Sequence, residues 1–269
     1  MATPPPLAPS MLASTRGAYE DLAPFYDDFT ADYAHGPWLA ELERCAKRWG
    51  VKWGDVLDVG CGTGASAWPL QQSGWQVTAC DLSPGMVARA RERLGLGPDR
   101  CFVADMRELP QVGEFNLIVS LDDAVNYLTE PDELSAALAA MSRALAPGGV
   151  LLFDVNTLLT YETVFGAHFS RTGDLADYHW RGLSKTPACA DHQYTAELEV
   201  RRLGRLVGRS IHRQRHHSRE TIGAAAQEAG LSVVEVLGQS SGGRLGPDPD
   251  ERRHLKLVYV LQASRGGDR

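Results

Sequence analysis

The sequence predicts an α/β fold built on a doubly wound, mostly parallel sheet of seven strands, and three observations support this prediction. Between residues 55 and 155, short apolar runs alternate with helical patterns, which is typical of a parallel sheet with helices on both faces. The first apolar run, Val56-Leu57-Asp58-Val59, leads directly into a glycine-rich turn. Residues 176–217 contain stretches in which polar and apolar residues alternate, which predicts an antiparallel insertion.

The first ordered region is expected to be helical, over residues 17–49. Apolar residues recur there at helical spacing on two successive faces: Tyr19, Leu22, Tyr26 and Phe29, then Trp38, Leu42, Cys45 and Trp49. Pro24 lies inside the first face and is expected to kink or divide the helix, because proline lacks an amide hydrogen and clashes with the preceding turn.

The remaining elements follow in order. Strands are expected at 55–59, 76–80, 101–104, 115–120, 150–155, 231–237 and 255–263. Helices are expected near 63–73, from Ser83 onward, over 131–145 and over 218–229. Pro84 suits the first position of the helix that follows Ser83. Pro147-Gly148-Gly149 is expected to end the helix over 131–145. Two or three antiparallel strands are expected in the insertion, with Gly204 and Gly208 near a hairpin.

These elements divide the chain into five predicted segments. They are a disordered leader at 1–15, a helical cap at 16–50, an α/β core at 51–156, a β lid insertion at 157–217 and the C-terminal part of the core at 218–264. The leader is rich in proline, and it has neither the basic region nor the continuous apolar stretch of a secretory signal.

Composition narrows the classes of partner and compartment. The net charge of −7 is unfavourable for nucleic-acid binding, which depends mainly on lysine and arginine neutralising phosphates. No apolar run approaches the roughly 20 residues that span a membrane. The five cysteines are spread singly along the chain, which favours a reducing cytoplasm and argues against disulfides and a zinc site. We therefore expect a cytoplasmic protein with no nucleic-acid, membrane or metal partner, either a monomer or a homodimer.

The glycine-rich turn indicates an adenosine-containing cofactor. Gly60, Gly62 and Gly64 stand at alternate positions, where a backbone without side chains can approach a ligand closely. Asp81 ends the next strand, where a carboxylate can bind the two hydroxyls of a ribose. A nicotinamide-dependent oxidoreductase is an alternative, but its usual G-x-G-x-x-G spacing is absent because position 65 is alanine.

In these motifs the chain resembles the class I S-adenosylmethionine-dependent methyltransferases. The resemblance rests on four segments in order: Val56 to Gly64, Asp81-Leu82, Asp105-Met106 and Pro147-Gly148-Gly149. It implies a Rossmann-like sheet whose last strand is antiparallel, and S-adenosylmethionine as cofactor. Asp81 would then bind the ribose, Leu82 would lie beside the adenine, and Asp105 and the Met106 backbone would bind the adenine edge. Further residues that the resemblance places at the cofactor are Cys61, Met86 and Leu121.

A narrower resemblance is to small-molecule methyltransferases of natural-product pathways, including amino-sugar N-methyltransferases. It rests on Tyr19, Tyr26 and Tyr33, on residues 120–128 and on the antiparallel insertion. The tyrosines would cover the cofactor and hold its methionyl carboxylate. The amino-sugar enzymes have a histidine at the position of Tyr127 and an apolar residue at that of Asp122. Nitrogen, oxygen and activated carbon therefore all remain open as the methyl acceptor.

Tyr127 and Asp122 are the predicted catalytic residues. Both follow the fourth strand, and open α/β sheets bind ligands at the carboxyl ends of their strands. Tyr127 would act on the acceptor, and Asp122 would bind the cofactor's amino group or a cationic acceptor. The alternative roles are packing for Tyr127 and helix capping for Asp122.

Six residues are predicted to contact the acceptor: Asn126, Asn156, His168, Tyr178, Trp180 and Arg215. For the histidine and the aromatic residues, simple packing is the alternative. His212, His216 and His217 share a stretch with four arginines; a site for an anion or RNA is the alternative, and we expect a solvated strand face. An RNA or protein methyltransferase is a further alternative, but the Asn/Asp-Pro-Pro-aromatic segment of base-methylating enzymes is replaced by Ser120-Leu121-Asp122-Asp123.

Overall fold

The N-terminal residues form a helical segment that is broken at a proline. The structure, a computed structural model, describes residues 15–33, 35–185, 187–240 and 243–264. The predicted leader therefore lies outside the described residues except for Thr15, which begins the first helix. The segment consists of α1 (Thr15–Leu22), a 3₁₀ turn (Ala23–Phe25), α2 (Tyr26–Phe29) and α3 (His35–Arg48). Pro24 lies within the 3₁₀ turn and divides the helix as predicted.

The core is a twisted sheet of eight strands. In chain order its strands are β1 (Asp55–Val59), β2 (Gln76–Asp81), β3 (Cys101–Val103), β4 (Phe115–Ser120), β5 (Leu145–Asn156), β10 (Leu231–Gln239), β11 (Leu245–Gly246) and β12 (Lys256–Ala263). Their spatial order is β11-β10-β12-β5-β4-β1-β2-β3. Neighbouring strands in the part β5-β4-β1-β2-β3 pair in parallel. In contrast, β12 runs antiparallel to both of its neighbours, β10 and β5. The predicted mostly parallel sheet with an antiparallel last strand is confirmed, and the two-residue β11 adds an eighth strand.

Helices cover both faces of this sheet. They are α4 (Ala67–Gln72), α5 (Pro84–Leu94), α6 (Glu133–Arg143), the single turn α7 (Leu158–Thr160) and α8 (Arg219–Glu228). Ser83 caps α5, because its hydroxyl accepts a hydrogen bond from the Met86 amide at 3.2 Å. One apolar cluster includes Leu42, Val56 and Leu70, and a second includes Leu57 and Leu138. The sheet is thus buried on both faces, and its strand ends are the places where polar chemistry can reach solvent.

The insertion is a second, four-stranded antiparallel sheet, which we call the lid. It consists of β6 (His168–Thr172), β7 (Asp177–Gly182), β8 (Gln193–Arg202) and β9 (Arg205–Arg215), in that spatial order. The prediction of two or three strands missed β6, which pairs with β7. A π-helical turn, Tyr161–Phe165, connects the core to the lid. The apolar face of the lid packs against Leu22 and Phe29 of the N-terminal segment.

Across the described parts of the chain, no helix is both long enough and apolar enough to cross a membrane.

Candidate active site

The glycine loop turns tightly at the end of β1. The amides of Gly60 and Cys61 both donate to the carbonyl of Cys80, at 2.8 and 3.0 Å. Gly60 has a φ of +77°, and a Cβ there would lie 2.9 Å from the Cβ of Ala124. The loop therefore has no space for a side chain at Gly60, and its bare backbone forms one wall of a cavity.

Asp81 ties this loop to the end of β2. Its Oδ2 accepts a hydrogen bond from the Gly62 amide and its Oδ1 one from the Ser83 amide, both at 2.9 Å. Burial raises the pKa of Asp81, although the backbone hydrogen bonds oppose this effect. The carboxylate is thus fixed in orientation at the edge of the cavity.

The cavity has a volume of about 520 Å³ and opens at the carboxyl ends of the central strands. This volume is typical of small-molecule sites. Ten of the predicted cofactor residues line it: Tyr19, Tyr26, Gly60, Cys61, Gly62, Asp81, Leu82, Asp105, Met106 and Leu121. We call it the cofactor cavity.

Three predicted cofactor residues lie elsewhere. Gly64 faces α5, where a Cβ would lie 3.2 Å from Leu94 Cδ1, so this glycine allows close helix packing. Met86 is fully buried on the inner face of α5. Tyr33 lines a second cavity instead.

Asp105 faces the cofactor cavity as half of an ion pair. Its Oδ1 accepts hydrogen bonds from the Arg107 amide and from Arg107 Nε, both at 2.9 Å. These bonds from Arg107 hold the pKa of Asp105 below its usual range. Arg107 also contacts Glu133, and both of these residues line the cavity. Sequence reasoning missed the Arg107–Glu133 pair, because Glu133 belongs to a later helix.

The N-terminal segment closes over the cofactor cavity through Glu20 in α1. Glu20 Oε2 accepts hydrogen bonds from the Ser83 hydroxyl at 2.8 Å and from the Gly85 amide at 2.9 Å. These contacts anchor α1 at the N-terminus of α5, a favourable place for a carboxylate because the amides there carry partial positive charge. Tyr19, the preceding residue, is thereby held in the cavity wall.

A second cavity of about 480 Å³ adjoins the first, beneath the lid. The two cavities share four lining residues: Tyr19, Tyr26, Asp122 and Tyr127. We call the second one the acceptor cavity, because a group held there meets the contents of the cofactor cavity at this shared wall. The other aromatic residues lining it are Phe29, Tyr33, Phe165, Phe169 and Trp180.

An acidic cluster forms the floor of the acceptor cavity. Fully buried Asp154 accepts hydrogen bonds from the backbone amides of Asp122 and Asp123, at 2.8 and 2.6 Å. Lys256 Nζ lies 3.1 Å from Asp154 Oδ1, 3.0 Å from Asp123 Oδ1 and 3.6 Å from Asp122 Oδ1. Burial raises the pKa of Asp154 to about 6 against the opposing effect of Lys256. Among the described residues, the cluster thus sets three carboxylates against one ammonium group.

The cluster also imposes an unusual backbone. Asp122 and Asp123 have φ angles of +56° and +57°, in the left-handed region that non-glycine residues rarely adopt. Such strain concentrates at functional sites, where the surrounding contacts enforce it. Here the two hydrogen bonds from the Asp122 and Asp123 amides to Asp154 hold this backbone conformation. The turn that follows carries Tyr127, which lies in the shared wall.

A chain of hydrogen bonds runs along the shared wall. Tyr19 Oη donates to Tyr127 Oη at 2.8 Å. Tyr127 Oη lies 2.8 Å from His212 Nδ1, and His212 Nε2 lies 2.9 Å from Ser210 Oγ. His212 comes from β9 of the lid, so the chain joins the N-terminal segment, the core and the lid.

Of the six predicted acceptor residues, Asn156 and Trp180 line the acceptor cavity. The other four have structural contacts. Asn126 Nδ2 donates to the Arg215 carbonyl at 2.8 Å, and the Arg215 side chain points toward the Thr129 carbonyl. Tyr178 donates to Asp28 at 2.6 Å, and His168 contacts the Gly182 carbonyl from an edge strand.

Sequence reasoning missed His212, Gln214 and Lys256, all of which line the acceptor cavity. The expectation that the histidines of this region lie on a solvated face is wrong, since His212, His216 and His217 are all buried. Side chains alternate along β9, so the arginines point outward while polar residues at every second position point inward. Polar residues at positions 210, 212 and 214 were the available signal.

The cofactor cavity fits S-adenosylmethionine in two respects. The glycine backbone leaves open the space that a Cβ at Gly60 would occupy, and Asp81 presents a fixed carboxylate beside it. Both features suit an adenosine whose ribose hydroxyls are donors.

Known proteins show the same domain and fold. A family model described as a methyltransferase domain matches residues 56–149. A protein of Geobacillus sp. (strain WCH70) that is named as a methyltransferase is 29% identical over 226 residues, covering 81% of this chain and 90% of that one. The dTDP-3-amino-3,4,6-trideoxy-alpha-D-glucopyranose N,N-dimethyltransferase of Streptomyces venezuelae is 35% identical over 100 residues, 37% of this chain and 41% of that one.

A solved structure extends the likeness to the whole fold. The S-adenosylmethionine-dependent methyltransferase of Clostridium acetobutylicum ATCC 824 superposes with a TM-score of 0.73 at 24% identity, covering 92% of this chain and 99% of that one. Residues 56–149 therefore match a methyltransferase domain, and the chain shares the fold of an S-adenosylmethionine-dependent methyltransferase.

Proposed function

We propose that this protein transfers a methyl group from S-adenosylmethionine to an amine nitrogen of a small molecule. The observation that carries the proposal is the position of Asp122 and Asp123. Both line the acceptor cavity, and Asp122 also lines the cofactor cavity. Negative charge is thus placed on the acceptor's side of the shared wall.

Each side of that wall has a role in the proposal. Asp81 holds the ribose of the cofactor, Asp105 and Met106 hold its adenine, and Tyr19 and Tyr26 cover it. S-adenosylmethionine supplies a methyl group on a positively charged sulfur, and methyl transfer passes that charge to the acceptor atom. The carboxylates of Asp122 and Asp123 stabilise positive charge that develops on an attacking nitrogen. An oxygen or carbon acceptor loses a proton and gains no such charge, so these carboxylates favour nitrogen.

The walls of the acceptor cavity also suit an amine. Eight aromatic residues line it, and Phe29 and Phe169 stack on the indole of Trp180 with ring centroids 6.5 and 6.0 Å away. Aromatic faces attract cations, and they bury the apolar part of a ligand at the same time. The 480 Å³ volume accommodates a compact metabolite rather than a folded macromolecule.

The comparison with Streptomyces venezuelae supports nitrogen as the acceptor, since that relative is named as an N,N-dimethyltransferase of an amino sugar. The similarity to that relative extends over 100 residues. An acceptor from secondary metabolism is the corresponding expectation for this chain.

Methyl-labelled S-adenosylmethionine offered with matched pairs of amine and alcohol tests this function. Suitable pairs are benzylamine with benzyl alcohol and glucosamine with glucose, together with a fractionated metabolite extract. We expect label in an N-methyl product, identified by mass spectrometry, and none in the alcohols. A product methylated only at oxygen or carbon, or label found only in RNA or protein, would contradict the proposal.

Asp122→Asn provides the matched variant, because it removes the charge and keeps the shape. We expect turnover to fall by about tenfold to a hundredfold while the affinity for S-adenosylhomocysteine stays within about twofold. Asp99→Asn, at an exposed position, serves as the control. Unchanged turnover in Asp122→Asn would remove the charge argument.

A further inference from the structure

Tyr127 is one of three tyrosines that line both cavities, so the direction of its hydroxyl hydrogen matters to an acceptor nitrogen. A hydroxyl has one hydrogen to donate and two lone pairs that accept. If the hydrogen pointed into the shared wall, it would bond to the nitrogen's lone pair. That lone pair must stay free, because it forms the new bond to the methyl carbon.

A donor already acts on the oxygen of Tyr127. Tyr19 Oη donates to it at 2.8 Å. Burial and the charge of Asp123 raise the pKa of Tyr127 well above its usual range, whereas hydrogen bonds from Tyr19 and from the Gln214 side chain lower it. Tyr127 therefore stays a hydroxyl, and with its oxygen accepting from Tyr19 its own hydrogen is left for His212 Nδ1, 2.8 Å away.

His212 is suited to receive that hydrogen. Burial lowers the pKa of His212 to about 4, so the imidazole is neutral at physiological pH and carries one hydrogen. An acceptor Nδ1 requires that hydrogen on Nε2, where Ser210 Oγ lies 2.9 Å away to receive it. The hydroxyl of Ser210 can rotate to accept this hydrogen bond. Each donor along the hydrogen-bond chain from Tyr19 to Ser210 then has an acceptor.

The ring of His212 is also fixed in place. It meets the ring of Tyr19 edge-on with centroids 5.7 Å apart, and it lies 5.4 Å from the ring of Trp180. Both of these residues line the acceptor cavity. The packing prevents the imidazole from turning away from Tyr127.

We infer that His212 is a positioning residue whose unprotonated Nδ1 holds the Tyr127 hydroxyl hydrogen, so that this hydrogen cannot occupy the lone pair of the acceptor nitrogen. The inference rests on the proposed transfer to an amine. It deepens that proposal by naming what keeps the nitrogen reactive at the shared wall, with Tyr127 presenting only oxygen to it.

The arrangement of hydrogens can be tested without any acceptor. In ¹⁵N-labelled protein bound to S-adenosylhomocysteine, long-range ¹H–¹⁵N spectra distinguish the two neutral forms of a histidine and its charged form. The His212 signals are assigned by their loss in His212→Asn. We expect Nδ1 unprotonated and Nε2 protonated throughout pH 6–8. A hydrogen on Nδ1, or a charged ring, would overturn the inference whatever the acceptor proves to be.

The second test uses turnover with the best amine from the labelled-methyl experiment. His212→Phe leaves the Tyr127 hydrogen without its partner, and we expect kcat to fall by about tenfold or more with a much smaller change in KM. His212→Asn, whose side-chain oxygen can take the place of Nδ1, should keep most of the activity. His179→Phe, on the opposite face of the lid sheet, serves as the control.

The decisive variant removes the hydroxyl that His212 controls. Tyr127→Phe in the His212→Phe background should raise kcat above that of His212→Phe alone, because no hydrogen then competes for the nitrogen. A purely structural role for His212 predicts the opposite, a further loss in the double variant. If no amine is methylated at all, the proposed function fails, while the spectra still decide the state of His212.

Discussion

Thr63 in the glycine loop donates a hydrogen bond of 2.6 Å from its hydroxyl to Asp27 Oδ1 in the N-terminal segment. Arg93 joins the same contact, since its guanidinium lies 2.8 Å from Asp27 Oδ2 and 2.9 Å from Thr63 Oγ1. Tyr26, adjacent to Asp27, lines both cavities. The segment that covers the cofactor cavity is therefore fastened directly to the loop that forms its wall.

Asp27→Asn should loosen this cover. The variant loses the charge-assisted bond to Arg93, and we expect the affinity for S-adenosylhomocysteine to fall by about threefold to tenfold, mainly through faster release. Calorimetry gives the affinity and stopped-flow fluorescence gives the release rate. Asp248→Asn, an exposed carboxylate distant from α2 in sequence, is the control. Equal release rates in both variants would show that the Asp27 contact does not restrain the cover.

Asp81 supplies the prediction that most directly concerns the cofactor. Asp81→Ala removes a carboxylate placed to accept from ribose hydroxyls, and we expect binding of S-adenosylhomocysteine to weaken by roughly 1.5–3 kcal/mol. Because Asp81 also accepts from Gly62 and Ser83, Asp81→Asn is the companion variant that retains an acceptor for the loop. Calorimetry on both separates ribose binding from loop support. Unchanged affinity in Asp81→Ala would remove this residue from the cofactor site.

Lys256 is predicted to be essential to folding stability. Its ammonium group contacts all three carboxylates of the acidic cluster. Lys256→Met leaves buried Asp154 without its partner, and we expect the free energy of unfolding to fall by about 3–5 kcal/mol, measured by urea denaturation at pH 7.5. Lys52→Met, at an exposed position, should change it by less than about 0.5 kcal/mol.

The pH dependence of this loss has a definite sign. Without the ammonium group, the folded pKa of Asp154 rises further above the value of an unfolded aspartate. When the pKa of a carboxyl group is higher in the folded state than in the unfolded state, the folded protein becomes more stable as the pH falls through the folded-state pKa. The deficit of Lys256→Met should therefore shrink between pH 7.5 and pH 5.5. A constant deficit would show that the destabilisation comes from lost packing rather than from unpaired charge.

Most residues that the sequence predicted at the cofactor line one cavity, because their proximity depends on short-range order. Gly60, Gly62 and Asp81 lie within two consecutive strand–turn units, and parallel pairing of neighbouring strands brings their ends together. Lys256 and His212 reach Asp122 and Tyr127 from β12 and β9. Their positions depend on registers such as Lys256 opposite Asn156 and His212 opposite Ala196, which no local pattern specifies.

Gly64 and Met86 show the converse limit. Both were predicted to lie at the cofactor, yet they face the interior of the core rather than the cofactor cavity. A motif fixes where the backbone runs, whereas the direction of each side chain depends on the helix or turn that follows. The same reasoning explains His212 of β9, where one residue of register separates a solvated face from a buried one.

His217 provides a pH-dependent prediction outside the acceptor cavity. It is 2% exposed, and its Nε2 lies 3.3 Å from the Val125 carbonyl, at the base of the turn that carries Tyr127. Burial lowers the pKa of His217 to about 4. A histidine in an unfolded chain has a pKa of about 6.5, so between those values the unfolded state binds more protons and the folded state loses stability as the pH falls.

His217→Gln should remove this pH dependence while keeping an N–H group for the Val125 carbonyl. At pH 7.5 we expect the variant to be less stable than the wild type, because glutamine fills the site less well. Between pH 7.5 and pH 5 that difference should shrink by about 2 kcal/mol, because only the wild type has a residue 217 that binds a proton in the unfolded state and not in the folded state. Urea denaturation at the two pH values measures the change, with His192→Gln as the exposed control. Parallel stability curves for wild type and His217→Gln would show that His217 titrates alike in the folded and unfolded states, and the buried ring would then have no part in acid sensitivity.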